Sequence, residues 1–179
     1  RDAEGLKIET LQTIDETRRV AELCFDGVRP ADWVGGIGQA AKAIDRMLDA
    51  GRVVLAADIL GACDRALSMS VEYAKERKQF GRVIGSFQAV KHMCAEMAAE
   101  LEPARSLLWY AAHAFDAVPD EAALMAAHAK AHLAEVGTLL VKTATEVHGG
   151  IGFTHETMLQ AGERIWNMER MFNLNLFVT

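Results

Sequence analysis

Tyr73-Ala74-Lys75-Glu76-Arg77-Lys78-Gln79-Phe80-Gly81-Arg82 is the stretch on which the reading of this chain turns. Its first half continues a helical pattern and its second half stops it. Upstream, between Ala40 and Lys78, there is no proline, and only Gly51 and Gly61 interrupt. Apolar residues recur there at Ile44, Met47, Leu48, Val54, Leu55, Ile59, Leu60, Leu67 and Val71, the three-to-four spacing of a buried helical stripe. Phe80-Gly81 and Gly85 break that pattern. Downstream, Ser86 is placed to cap a second helix with Gln88, Ala89 and Val90 in its first turns, running to about Asp116 with Pro103 as a kink point. Val118-Pro119-Asp120-Glu121 reads as a loop into a third helix, roughly Glu121 to Val147. His148-Gly149-Gly150 ends that helix, because glycine tolerates the left-handed conformation of a helix exit. A shorter fourth helix is expected from about Glu156 to Met171. Long helices joined by short loops predict a mainly α protein built as an antiparallel bundle.

The segment before the bundle has a different grain. In residues 1–36, Leu6, Ile8 and Thr10, then Val20, Leu23, Phe25 and Val28, sit among polar residues at short spacing, and Asp26-Gly27, Pro30 and Gly35-Gly36 supply turn signals. Two short strands and a linker are expected. A lone strand pair is barely stable in water, so these strands are expected to complete a sheet whose remainder lies elsewhere.

Composition narrows the class. The chain has 179 residues, 51% of them hydrophobic and 25% charged, enough for a core and for solubility. A net charge of −6 argues against a nucleic-acid surface, which needs a clustered basic face. It leaves room for a small anionic ligand, since a few local arginines can grip a phosphate. No apolar run is long enough to span a bilayer, and no signal peptide is visible. Cys24, Cys63 and Cys94 are odd in number with no CxxC pair, which reads as three reduced, packed thiols.

Two stretches carry chemistry. At a helix end, Lys75, Arg77 and Lys78 taken singly are cations complementing the dipole. Arginine, an amide and an aromatic ring converging before a glycine turn form a different set, able to hold a pyrophosphate and cover an aromatic ring. The second stretch, Glu146-Val147-His148-Gly149-Gly150-Ile151-Gly152-Phe153-Thr154, has glycines that permit close backbone approach to a ligand. It lacks the strand-before-helix setting of a dinucleotide fingerprint. His128 and His132 are four apart with Glu135 near the same face, a spacing that can bind zinc. Ala129, Lys130 and Ala131 intervene without the glutamate of an HExxH site, so they read as a surface or interface pair and no metal site is assigned.

The two stretches, separated by a helical hairpin, together resemble the acyl-CoA dehydrogenase family. The carriers are YAKERKQFGRVIGSFQAVKH (73–92) and EVHGGIGFTHE (146–156), with TIDETRRVAELCFDGVRP (13–30) similar to the end of the family's middle β-domain. The resemblance implies that residues 1–36 end that β-domain and that 37–179 form the family's C-terminal four-helix bundle. It implies FAD at a dimer interface, two dimers per tetramer, an acyl-CoA substrate and an electron-transfer flavoprotein as partner. By motif match, Arg77 contacts the FAD pyrophosphate with Gln79 and Phe80 beside it, Gln88 lies near the same nucleotide, and Glu146, Val147, His148, Gly149 and Gly150 line the adenosine side. Arg52 matches an arginine near the family's active site. The implied reaction is α,β-dehydrogenation of the thioester: a glutamate takes the α-proton, flavin takes the β-hydride, and hydrogen bonds stabilise the enolate. The implied location is the bacterial cytoplasm, or the mitochondrial matrix in a eukaryote.

The departures concern the base. The family's two glutamate positions fall on Gly51 and Asn173, and neither residue can take a proton at neutral pH. Glu169 is one turn before Asn173 and is the substitute candidate; Glu163 is a poorer one. Glu146 stands where the family often has glutamine, an acid beside a diphosphate. Two rival readings follow: a non-catalytic subunit that completes the FAD site of a mixed tetramer, or a flavin oxygenase of the same fold.

Overall fold

Thirty-six residues, Ala41–Glu76, form one uninterrupted helix, α1, in a computed structural model that describes residues 3–13, 19–29, 32, 35–36 and 38–149. The described chain divides into two units between Asp45 and Arg46.

In the first unit, β1 (Leu6–Leu11) pairs antiparallel with β2 (Val20–Phe25) in the register Leu6↔Phe25, Ile8↔Leu23 and Leu11↔Val20. The two strands expected there are present, and their register sets Leu6, Ile8, Leu23 and Phe25 on one face as cross-strand pairs. Leu23 and Phe25 stay exposed. The pair is closed at one end by the Asp26 N–H donating to the Gly5 carbonyl at 2.9 Å. Gly5 has φ +85°, and a Cβ there would sit 1.9 Å from the Asp26 oxygen, so only glycine fits.

In the second unit, α2 (Gln88–Ala117) and α3 (Pro119–Val147) follow α1 up-down-up. The contacts give the direction. Arg46, near the start of α1, reaches the Phe115 carbonyl at 3.5 Å, near the end of α2. Arg105 pairs with Asp64 at 2.8 Å midway. The Tyr110 hydroxyl donates to Glu121 at 2.6 Å across the turn between α2 and α3. The three helices share a core in which Ile59, Cys63, Met97, Leu101, Leu133 and Leu140 are the largest fully buried apolar side chains. Buried alanines, among them Ala104, Ala111 and Ala129, let helices approach closely. Burying each large apolar side chain is worth about 1.5–3 kcal/mol.

Three expectations need correction. The stripe on α1 is buried only from its middle onward: Ile44, Met47, Leu48 and Val54 are exposed, while Ala56, Ile59, Leu60 and Cys63 enter the core. The first half of α1 carries apolar residues on two faces, and only one meets α2 and α3. Ser86 does not cap α2. Its hydroxyl donates to the Val83 carbonyl at 2.7 Å inside a 3-10 turn (Ile84–Ser86), and Phe87 takes the cap position without a side-chain bond. The third helix begins at Pro119 rather than Glu121, since a proline at the first helical position loses no hydrogen bond and Asp120 and Glu121 then complement the dipole. Pro103 lies on the exposed side of α2, which continues through it. The expected fourth helix, Glu156 to Met171, lies outside the described residues.

All three cysteines are free: Cys63 is buried, Cys94 half-buried and Cys24 exposed. Burial, with the neighbouring Asp64 charge, pushes the Cys63 thiol up from 9.0 to about 12. Thiolate is the reactive form. At pH 8 an alkylating reagent is therefore expected to label Cys24 quickly and Cys63 only after unfolding, read by peptide mass. Between pH 9 and 12 the unfolded chain releases a proton that the folded chain keeps, so stability falls across that window. No described helix is long and apolar enough to cross a membrane.

Candidate functional site

After α1 the chain makes a miniature hairpin: β3 (Lys78–Gln79) pairs with β4 (Arg82–Val83) around Phe80 and Gly81. Both turn residues have positive φ, 53° and 78°, as a tight two-residue hairpin turn requires. Glycine adopts this freely, whereas a phenylalanine in the left-handed region costs on the order of 1–2 kcal/mol. The turn leaves the Phe80 ring outward at 91% exposure, edge-on to Phe87 at 6.2 Å. Arg82 stacks its guanidinium over the Phe87 ring at 4.1 Å.

The hairpin is tied to the helix it leaves. The Arg77 N–H donates to the Tyr73 carbonyl at 2.9 Å, and the Ile84 N–H to the Arg77 carbonyl at 2.8 Å. Gly85 then passes so close to α1 that a Cβ would lie 2.8 Å from the Ala74 carbonyl oxygen. Backbone has to move to admit it. Gly85→Ala is expected to cost about 1–3 kcal/mol, measured as a lower denaturation midpoint at unchanged slope.

Arg77, Gln79, Phe80 and Gln88 are all exposed. Between residues 75 and 91 there are five basic side chains and one acidic, a cationic locality on an acidic chain. Gln88 is the first residue of α2, whose leading N–H groups face out with no side-chain cap. The positive end of a helix, a cluster of cations and an outward aromatic ring form a surface for an anionic group joined to a planar ring.

At the far end of α3, Glu146 is exposed while Val147 and His148 are buried. Gly149 has φ +63° and its N–H donates to the Glu146 carbonyl at 2.9 Å, the left-handed exit expected of a glycine there. The His148 ring stacks on Tyr73 with centroids 4.5 Å apart and planes at 26°. The ends of α1 and α3 therefore meet, and with them the two sequence stretches. Gly150, Glu163, Glu169 and Asn173 lie outside the described residues.

On α1, Gly51 has open space where a side chain would project, whereas the Arg52 guanidinium turns back one helical turn to pair with Asp49, which is only 8% exposed. Among the described residues no group of three His, Cys, Asp or Glu side chains gathers as metal ligands, and His128, His132 and Glu135 form no such set. Sequence reasoning did not find the Tyr73–His148 stack, the Asp49–Arg52 pair or the close pass at Gly85.

The bundle ends in an exposed cationic surface where the α1 and α3 termini meet. Residues 38–173 match the family model described as acyl-CoA dehydrogenase, C-terminal domain, and the chain belongs to that family. It is 36% identical to the acyl-CoA dehydrogenase IpdE2 of Mycobacterium tuberculosis, over 83% of this chain and 42% of that protein. It is 34% identical to the caffeyl-CoA reductase-Etf complex subunit CarC of Acetobacterium woodii, over 79% of this chain and 36% of that protein. The butyryl-CoA dehydrogenase of Megasphaera elsdenii superposes with a TM-score of 0.83 at 28% identity, covering 94% of this chain and 45% of that one. The chain thus spans under half the length of these relatives.

Proposed function

We propose that this chain is the helical-bundle part of an FAD-dependent acyl-CoA dehydrogenase, with residues 1–36 ending its middle β-domain. The observation that carries the reading is the exposed Arg77–Gln79–Phe80 hairpin beside the uncapped start of α2, joined to the exit of α3 by the Tyr73–His148 stack. In this reading Arg77 and the α2 terminus hold the FAD diphosphate, Gln79, Phe80 and Gln88 flank it, and residues 146–150 line the adenosine side. The residues fit the group: Arg77, Gln79, Phe80, Gln88 and Glu146 are exposed, cationic where the phosphates lie, while Val147 and His148 are buried behind them. Glu146 is also exposed, so water screens its charge from the diphosphate. When bound, FAD supplies the acceptor for the β-hydride while a carboxylate takes the α-proton.

Family membership supports an acyl-CoA thioester as substrate and a dimer of dimers as the assembly. A relative named as part of an Etf complex supports an electron-transfer flavoprotein as partner. The location that fits is the bacterial cytoplasm, or the mitochondrial matrix in a eukaryote. The 179-residue chain alone is expected to give no dye-linked turnover with any acyl-CoA.

Gly51 favours a second reading. The open position where the family carries one of its two glutamates suits a subunit that completes a flavin site while another chain provides the base. Anaerobic titration of the complete enzyme with acyl-CoA separates the readings. Bleaching of the flavin band with formation of enoyl-CoA by a homomeric enzyme supports the first. Bleaching only when a second chain is present supports the other, and oxygen uptake without an enoyl product favours a flavin oxygenase.

A further inference from the structure

The ring stack at the root of the site does more than fill space. His148 is 5% exposed, and its Nδ1 lies 2.7 Å from the Ala144 carbonyl, which only accepts, so Nδ1 carries the proton and the ring plane is fixed. The same carbonyl receives the His148 backbone N–H at 3.2 Å. On the other side of the stack, Tyr73 is bonded through its carbonyl to the Arg77 N–H, and Arg77 through its own carbonyl to Ile84. One ring pair thus stands one residue from Gly149 and one helical turn from Arg77.

We propose that Tyr73 and His148 are positioning residues: their stack locks the hairpin of Arg77 to the exit of α3, so the two segments present one preassembled surface to the flavin nucleotide. The inference rests on the FAD reading above. The Tyr73 ring need not touch the cofactor. Preassembly spares the ordering that each segment otherwise undergoes on binding, so the stack acts on affinity rather than on chemistry.

The test measures the FAD dissociation constant and the melting temperature of the apoprotein for the complete enzyme. Tyr73→Leu is expected to weaken FAD about 3- to 10-fold, the range for losing one aromatic pair, while Tyr73→Phe keeps the wild-type constant. Adding Arg77→Ala to Tyr73→Leu is expected to lose less than the product of the single losses, because a loosened hairpin already places Arg77 poorly. Hydrogen exchange of the unmutated enzyme reads the same point without a variant: FAD is expected to protect peptides from 73–88 and 141–149 together. Wild-type FAD affinity in Tyr73→Leu, full multiplicativity, or protection of one segment alone overturns the proposal and leaves the FAD reading standing. An unmutated enzyme that takes up no FAD overturns both.

Discussion

Arg77→Ala in the complete enzyme is expected to release FAD on dilution, with the dissociation constant rising about 10- to 100-fold. Arg77 is exposed at the foot of the hairpin, its backbone held by bonds to Tyr73 and Ile84. A charge-assisted hydrogen bond to a phosphate contributes about 1.5–3 kcal/mol, which sets the expected range. Arg77→Lys is expected to recover only part of it, because an ammonium offers no planar fork to two phosphate oxygens. Folding stability of the apoprotein should change little, since the side chain is not part of the core. Ultrafiltration of the holoenzyme checks this directly. Unchanged retention means that Arg77 is merely a cation complementing a helix end.

Leu133→Ala is expected to be the most destabilising simple truncation in the bundle, costing about 2–5 kcal/mol. Leu133 is 0% exposed on α3 and belongs to the core shared with α1 and α2. That core packs Ile59, Met97, Leu101 and Leu140 with buried alanines such as Ala104, Ala111 and Ala129 at native density, so the cavity has little means of collapsing. Leu124→Ala on the same helix, at a side chain 66% exposed, is expected to stay within about 0.5 kcal/mol. Urea denaturation of both variants provides the comparison. A small change at Leu133 contradicts the packing described.

The helices were legible because their signals are local. Proline-free runs, a glycine at the exit of α3 and strand alternation around Ile8 and Leu23 each act over a few residues. What spacing could not give was the face that packs: Met47 and Val54 repeat as regularly as Ile59 and Cys63, yet stay exposed. Ser86 had the chemistry of a helix cap, but the 3-10 turn gave its hydroxyl the Val83 carbonyl instead. Gly85 read as a pattern breaker, while its use is the close pass beneath the Ala74 carbonyl, a contact eleven residues apart.

The candidate site divides the same way. Arg77, Gln79, Phe80 and the Glu146–Gly149 segment stood out because cations, an aromatic ring and glycines cluster in sequence. The Tyr73–His148 stack left no trace there, because ring pairing between two helix ends depends on where the bundle closes. The left-handed Phe80 was equally hidden, since turn geometry favours asparagine or glycine at that place. In the proposed reading both segments serve one cofactor, and Gly51 and Asn173 raise the question of which chain supplies the base.

The most direct test is a visible absorption spectrum of natively purified protein containing this chain, with an intact mass for every polypeptide present. Expected are flavin bands, FAD released on denaturation at about one per bundle, and mass from a longer form of this chain or from a second one. Colourless protein of full-length mass that takes up no FAD on reconstitution would contradict the FAD reading.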